Sequence, residues 1–69
     1  MVDRHSLEQL RRRVEANPAS IAFATLAEEY RRAGMLDEAI AVCQAGLRRH
    51  PSYVSARVTL GTALIEASR

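Results

Sequence analysis

The stretch LAEEYRRAGMLDEAIAVCQAGLRRHP, Leu26 to Pro51, is helix-forming on both sides of Gly34. The fold turns on whether that glycine interrupts one long helix or marks the corner between two. Ahead of it, Ile21, Phe23, Ala24, Leu26, Ala27 and Tyr30 form a broad apolar side, with Glu28, Glu29, Arg31 and Arg32 largely outside it. Behind it, Leu36, Ala39, Ile40, Val42, Cys43, Ala45, Gly46 and Leu47 form a second. Glycine accepts the left-handed backbone that ends helices, so Gly34 reads as a C-terminal cap and Asp37 as the cap of the next helix. Two amphipathic helices joined by the short turn Gly34-Met35-Leu36 must lie antiparallel.

Working outward, His50-Pro51 stops the second of these helices, because a residue before proline avoids helical geometry. A further helix then starts at Ser52 or Tyr53 and carries Val54, Val58, Leu60, Gly61, Leu64 and Ile65. Toward the N-terminus, Leu7, Leu10 and Val14 recur at helical spacing behind a capping box, Ser6 to Gln9. That helix runs from Asp3 or Ser6 to Ala16, with Glu8 facing Arg12 and Arg11 facing Glu15. Asn17 is expected to cap the helix that follows, and Pro18 suits its first turn. No stretch alternates with a period of two, so the expected fold is all-α, about four helices packed as antiparallel hairpins.

Composition narrows the function. Sixty-nine residues make one small domain, and a single cysteine cannot form an internal disulfide. No apolar run reaches the length of a membrane span, and the N-terminus has no signal-peptide core, so a cytoplasmic protein is expected. Ten arginines and no lysine face eight acids, a balance of +2 that says little about partners. Arg11-Arg12-Arg13, Arg31-Arg32 and Arg48-Arg49 each fall near a helix end, where cations suit the negative end of the helix dipole.

The second and fourth helices match when shifted by 34 residues: Ala22 meets Ala56, Thr25 meets Thr59, Leu26 meets Leu60 and Ala33 meets Ala67. Ala27 meets Gly61, both small, and Tyr30 meets Leu64, both bulky. With Phe23, Leu26-Ala27, Tyr30, Gly34, Ala39, Cys43, Gly46 and Pro51 in register, and the run Asp37 to Ile40 (DEAI), the sequence resembles a tetratricopeptide repeat. Cys43 holds a place usually aromatic, Gly46 one usually alanine, and Arg57 stands where a bulky apolar residue is expected. The resemblance implies an α-solenoid in a single domain, 1–69. Residues 20–53 would be a full repeat, 54–69 the first helix of another, and helix 3–16 either the end of a preceding repeat or a cap. Ala27, Ala39, Gly46 and Gly61 would let backbones approach closely, while Phe23, Leu26, Tyr30, Ile40 and Leu47 fill the spaces between helices.

No catalytic residue, cofactor or metal is expected. Cys43, on an apolar face, reads as an inert core thiol. No spacing among His5, Asp37, Cys43 and His50 resembles a metal site, and neither a phosphate loop nor a Ser/His/Asp set is present. The chain therefore reads as a binding protein and not an enzyme. By the resemblance, the first helix of each repeat lines a concave surface that holds a peptide or a partner's helix. Ile21, Ala24, Glu28, Arg31 and Arg32 would face that groove, and Ser55, Val58, Thr62, Ile65 and Glu66 would extend it. Relatives that grip an acidic tail use Lys and Asn there; Ala24 and Glu28 at the matching places argue against that grip here. The expected partner is a partially apolar peptide or another repeat domain, with Arg31 and Arg32 at the rim.

A further expectation concerns Leu60, Leu64 and Ala67, which would pack on the second helix of the last repeat. The chain ends at Arg69, where that helix should begin. It is read as a fragment of a longer array, or as a chain whose strip a second copy covers in a two-fold dimer, and both can hold together. Self-association is the favoured expectation, and a purely structural assembly element is the alternative. Nucleic-acid binding through Arg11 to Arg13 and Arg48-Arg49 ranks below both, given the small net charge and the few aromatics.

Overall fold

The computed structural model of the chain describes residues 4–17 and 21–68. Four helices follow one another: α1 Arg4–Ala16, α2 Ala22–Arg32, α3 Leu36–Arg49 and α4 Val54–Ala67. No strand occurs among the described residues, so the all-α expectation holds.

Gly34 is the corner. It is the one described residue with positive φ, 81°, the left-handed region where a Cβ is strained. Its N–H donates to the Arg31 carbonyl at 3.0 Å and the Met35 N–H to the Tyr30 carbonyl at 2.9 Å. These two bonds satisfy carbonyls that the end of α2 leaves without partners. Because the turn closes so tightly, α3 opens at Leu36 with Met35 as its cap residue. Asp37 is thus not the cap; it sits with Glu38 in the first turn of α3, where negative charge suits the dipole. At the other end, the His50 N–H donates to the Gly46 carbonyl at 3.0 Å before Pro51 turns the chain.

Two N-terminal expectations are also corrected. Helix α1 starts at Arg4, so Ser6 and Gln9 lie inside it, and the Gln9 amide donates to the His5 ring at 3.2 Å instead of closing a capping box. Asn17 finishes α1, its N–H reaching the Arg13 carbonyl at 3.1 Å, while Ile21 is the cap residue of α2. The place expected for Pro18 lies outside the described residues. On the surface of α1, Arg11 takes both carboxylates, Glu8 at 3.3 Å and Glu15 at 3.9 Å, so Glu8 pairs with its i+3 neighbour and not with Arg12 as expected.

Helix α2 is the hub: it packs on α1, α3 and α4, and α3 also packs on α4. Small residues let this happen. Ala27 and Ala39 are fully buried, and α4 turns Ala56, Thr59 and Ala63 inward at i, i+3 and i+7. Large side chains fill what remains. Leu7, Leu26 and Tyr30 are buried in one cluster, with Leu10, Val14, Leu36, Ile40 and Val42 partly buried against it. Phe23, Ala24 and Ala56 form a second cluster, bordered by Leu47 and Tyr53. The Phe23 ring, 1% exposed, stacks on His50 at 5.8 Å and tilts against Tyr53 at 5.9 Å.

Gly46 makes room for that ring, since a Cβ built there would land on the Phe23 side chain. Gly61 behaves otherwise: a Cβ there meets nothing within 4 Å, so among the described residues no helix makes the close approach expected at Gly61. Gly46→Ala should therefore lower stability by about 1–3 kcal/mol through overpacking, although alanine is the better helix former. In a chain of this size each kcal/mol moves the melting temperature by about 4–8 °C. Adding Phe23→Leu, a smaller side chain, should recover part of the loss. Thermal melts of the two variants and the double variant check this; a Gly46→Ala protein as stable as the parent would contradict the packing described.

Candidate functional site

The residues expected to line a groove come from α2 and α4, and the structure brings some of them into direct contact. Arg31, on the last turn of α2, is the centre. Its Nε and Nη2 donate to the two oxygens of Glu28 at 3.0 and 2.7 Å, a fork on a carboxylate three residues back. Its Nη1 reaches across to Glu66 of α4, at 3.2 and 3.3 Å from the two oxygens. The Thr59 hydroxyl donates to Glu28 at 3.3 Å, and Arg32 lies 3.4 Å from the same carboxylate. The expected Glu28–Arg32 pair thus exists, but the shorter bonds belong to Arg31.

These contacts have electrostatic consequences. The Arg31 hydrogen bonds, opposed by partial burial and aided by Thr59 and Arg32, hold the Glu28 carboxyl below the ordinary glutamate range. Arg31 is in turn pushed up, by Glu28 first and Glu66 second. Exposed ion pairs contribute about 0–1 kcal/mol. Here the Arg31 side chain is 21% exposed and holds carboxylates on two helices, so it ties α4 to α2.

The other groove residues divide. Ile21, Val58 and Ile65 are exposed, at 51%, 62% and 60%. Arg32 and Ser55 are also exposed, and Thr62 is half-buried. Val58, Thr62 and Ile65 recur at i, i+4 and i+7 and share one side of α4. Ala24 departs from expectation: it is buried at 7% in one cluster with Ala56, because stacking α4 on α2 puts small residues where the helices meet. Sequence reasoning missed Thr59, which is buried and bonded to Glu28, and Val54, which is 70% exposed. The signal for Glu66 was present: it stands 34 residues after Arg32, so opposite charges occupy equivalent turns of stacked helices. In the strip expected to self-associate, Leu60 is half-buried while Leu64 and Ala67 are exposed.

Little else carries chemistry. Cys43 is buried, and burial pushes its thiol up, away from the reactive thiolate. Among the described residues no three of His, Cys, Asp and Glu gather as metal ligands, and no helix is long and apolar enough to cross a membrane. A cleft of about 510 Å³ opens between α1 and α3 over Val14, Phe23 and Val42, with Arg48 and Arg49 also lining it. None of its lining residues belongs to the Arg31 cluster.

A family model described as Tetratricopeptide repeat matches residues 22–63, well over half of the chain. Comparison with curated proteins gives no match, and comparison with solved structures gives none either.

The Glu28 carboxyl supplies a pH test. A depressed folded pKa gives a contribution that is whole above the unfolded value, about 4.3 for glutamate, and lost as pH falls through the lowered value. Glu28→Gln should therefore melt below the parent at neutral pH, and the gap should close in acid. A gap that stays constant across a pH series of thermal melts would contradict the Arg31–Glu28 contact.

Proposed function

The chain belongs to the tetratricopeptide repeat family, a family of protein-interaction modules, and on that premise we propose that it binds a partly apolar peptide along α2 and α4. In this reading α2 and α3 form one repeat and α4 the first helix of the next, so both groove-lining helices are first helices. The observation that carries it is the pair Val58 and Ile65, two turns apart on α4 and both more than half exposed. Val54 and Ile21 add to the exposed apolar surface. Singly exposed apolar residues are ordinary, but several on neighbouring elements form the kind of patch that binding sites use.

The polar side of the groove supports discrimination more than affinity. Glu28, Arg31 and Glu66 already satisfy one another, so a ligand gains little by competing for them. Affinity would come from burial along Val58 and Ile65, with Arg32 at the rim. The same mutual pairing favours a second reading, an assembly element whose α4 strip of Leu60, Leu64 and Ala67 joins a second copy, with no ligand in the groove. Nucleic acid, through Arg11 to Arg13 and Arg48-Arg49, ranks below both, because the net charge is only +2 and Arg11 already faces Glu8 and Glu15.

Selection from a phage-displayed peptide library separates the readings. Enriched peptides should carry bulky apolar residues. Val58→Asp or Ile65→Asp should weaken them at least about tenfold, a loss of about 1.4 kcal/mol, while Leu64→Glu leaves them nearly unchanged. Failure to enrich any peptide, or peptides indifferent to both aspartates, would contradict groove binding.

A further inference from the structure

The molecule contains its own account of what the outer side of α4 lacks. On α2 the stripe Leu26, Ala27 and Tyr30 is sealed, at 1%, 0% and 6% exposure, with the antiparallel helix α3 against it. Shifted by 34 residues, the equivalent stripe on α4 is Leu60, Gly61 and Leu64. There Leu60 and Gly61 are only half-buried, Leu64 is 48% exposed, and the Cβ direction of Gly61 meets nothing within 4 Å. A bulky side chain beside a glycine hollow is the arrangement that Phe23 and Gly46 use inside the fold.

Charge adds an orientation. Helices α1, α2 and α3 each carry arginine in the last turn: Arg13, then Arg31 and Arg32, then Arg48 and Arg49. The last turn of α4 itself carries no basic residue, and in sequence Arg69 follows two positions after it. Arg57 is exposed and lies at i−3, i−4 and i−7 from Leu60, Gly61 and Leu64, on the same stripe but near the positive end of its own helix. Within one chain Arg57 is misplaced. In an antiparallel pair it would meet the negative end of the partner helix.

We propose that α4 pairs antiparallel with α4 of a second copy, the Leu64 of each copy seated over Gly61 of the other and each Arg57 set against the partner's α4 C-terminus. This rests on the self-association reading above and deepens it: the strip is Arg57, Leu60, Gly61 and Leu64, with Ala67 peripheral. The pairing is isologous, as a two-fold dimer requires. A parallel pairing would bring Arg57 beside Arg57 and negative end beside negative end. Helix α3 fits less well as the cover: Ala39, Cys43 and Gly46 are already buried inside the fold, and its outer side offers only Ala41 and Ala45 among Asp37, Glu38, Gln44 and Arg48.

Sedimentation equilibrium over a wide concentration range tests the association, and cysteine cross-linking tests the geometry. The parent should be a dimer. Leu64→Glu and Gly61→Ala should each weaken dimerisation at least about tenfold. Circular dichroism should show their helices retained, since Leu64 is exposed and a methyl at Gly61 touches nothing within one chain. When Arg57→Cys and Ser68→Cys proteins are mixed and oxidised, the mixed 57–68 disulfide should predominate; the buried Cys43 does not compete. A parent that is monomeric at every concentration would overturn self-association and this proposal together. A dimer that tolerates Gly61→Ala, or that links 57 to 57, would overturn the antiparallel seat alone and leave self-association standing.

Discussion

The close approach of α2 and α3 is the contact on which the rest of the molecule depends. It requires that one helix offer no side chain where the other offers its largest. Gly46 supplies the vacancy, Phe23 fills it, and His50 and Tyr53 close over the ring. Farther along the same hairpin, Ala27 and Ala39 are both fully buried. A chain of 69 residues has little apolar area to spend, so stability must come from tight meshing and not from bulk.

The side of that hairpin is the surface on which α4 packs. Ala24 and Ala56 share the cluster where α4 docks, and Thr59 and Ala63 continue the seam. Above that seam Arg31 binds carboxylates on both helices. Packing and electrostatics thus have separate parts: small residues set the spacing, the guanidinium ties α4 to α2, and Val58 and Ile65 stay exposed on α4.

Much of this was legible in the sequence, because it rests on local signals that survive folding. Gly34 announced a left-handed corner, and His50-Pro51 a helix end. The resemblance to a tetratricopeptide repeat implied which small residues meet a neighbouring helix, as at Ala39 and Gly46, both buried. Local rules failed where a tighter tertiary closure overrode them. Asp37 is a good cap, but the hydrogen bond from Met35 to Tyr30 closes α2 so tightly that the Met35 carbonyl already accepts the Ala39 N–H and α3 starts before Asp37. Ala24 looked like groove surface because α2 alone does not show where α4 will land. The Arg31–Glu66 contact spans two repeats, so no rule about neighbours in sequence points to it directly. Gly61 was read correctly as small and wrongly as occupied, since the sequence gives the shape of a contact without its partner.

The central claim is that α2, α3 and α4 mesh through small residues at a fixed register. The most direct measurement is a carbon-edited proton NOE spectrum of the labelled protein in solution. The account predicts strong cross-peaks between the Phe23 ring and the Gly46 α-protons, those α-protons shifted upfield by the ring, and a cross-peak linking the Ala24 and Ala56 methyls. A well-dispersed spectrum without the Phe23–Gly46 cross-peaks would contradict it.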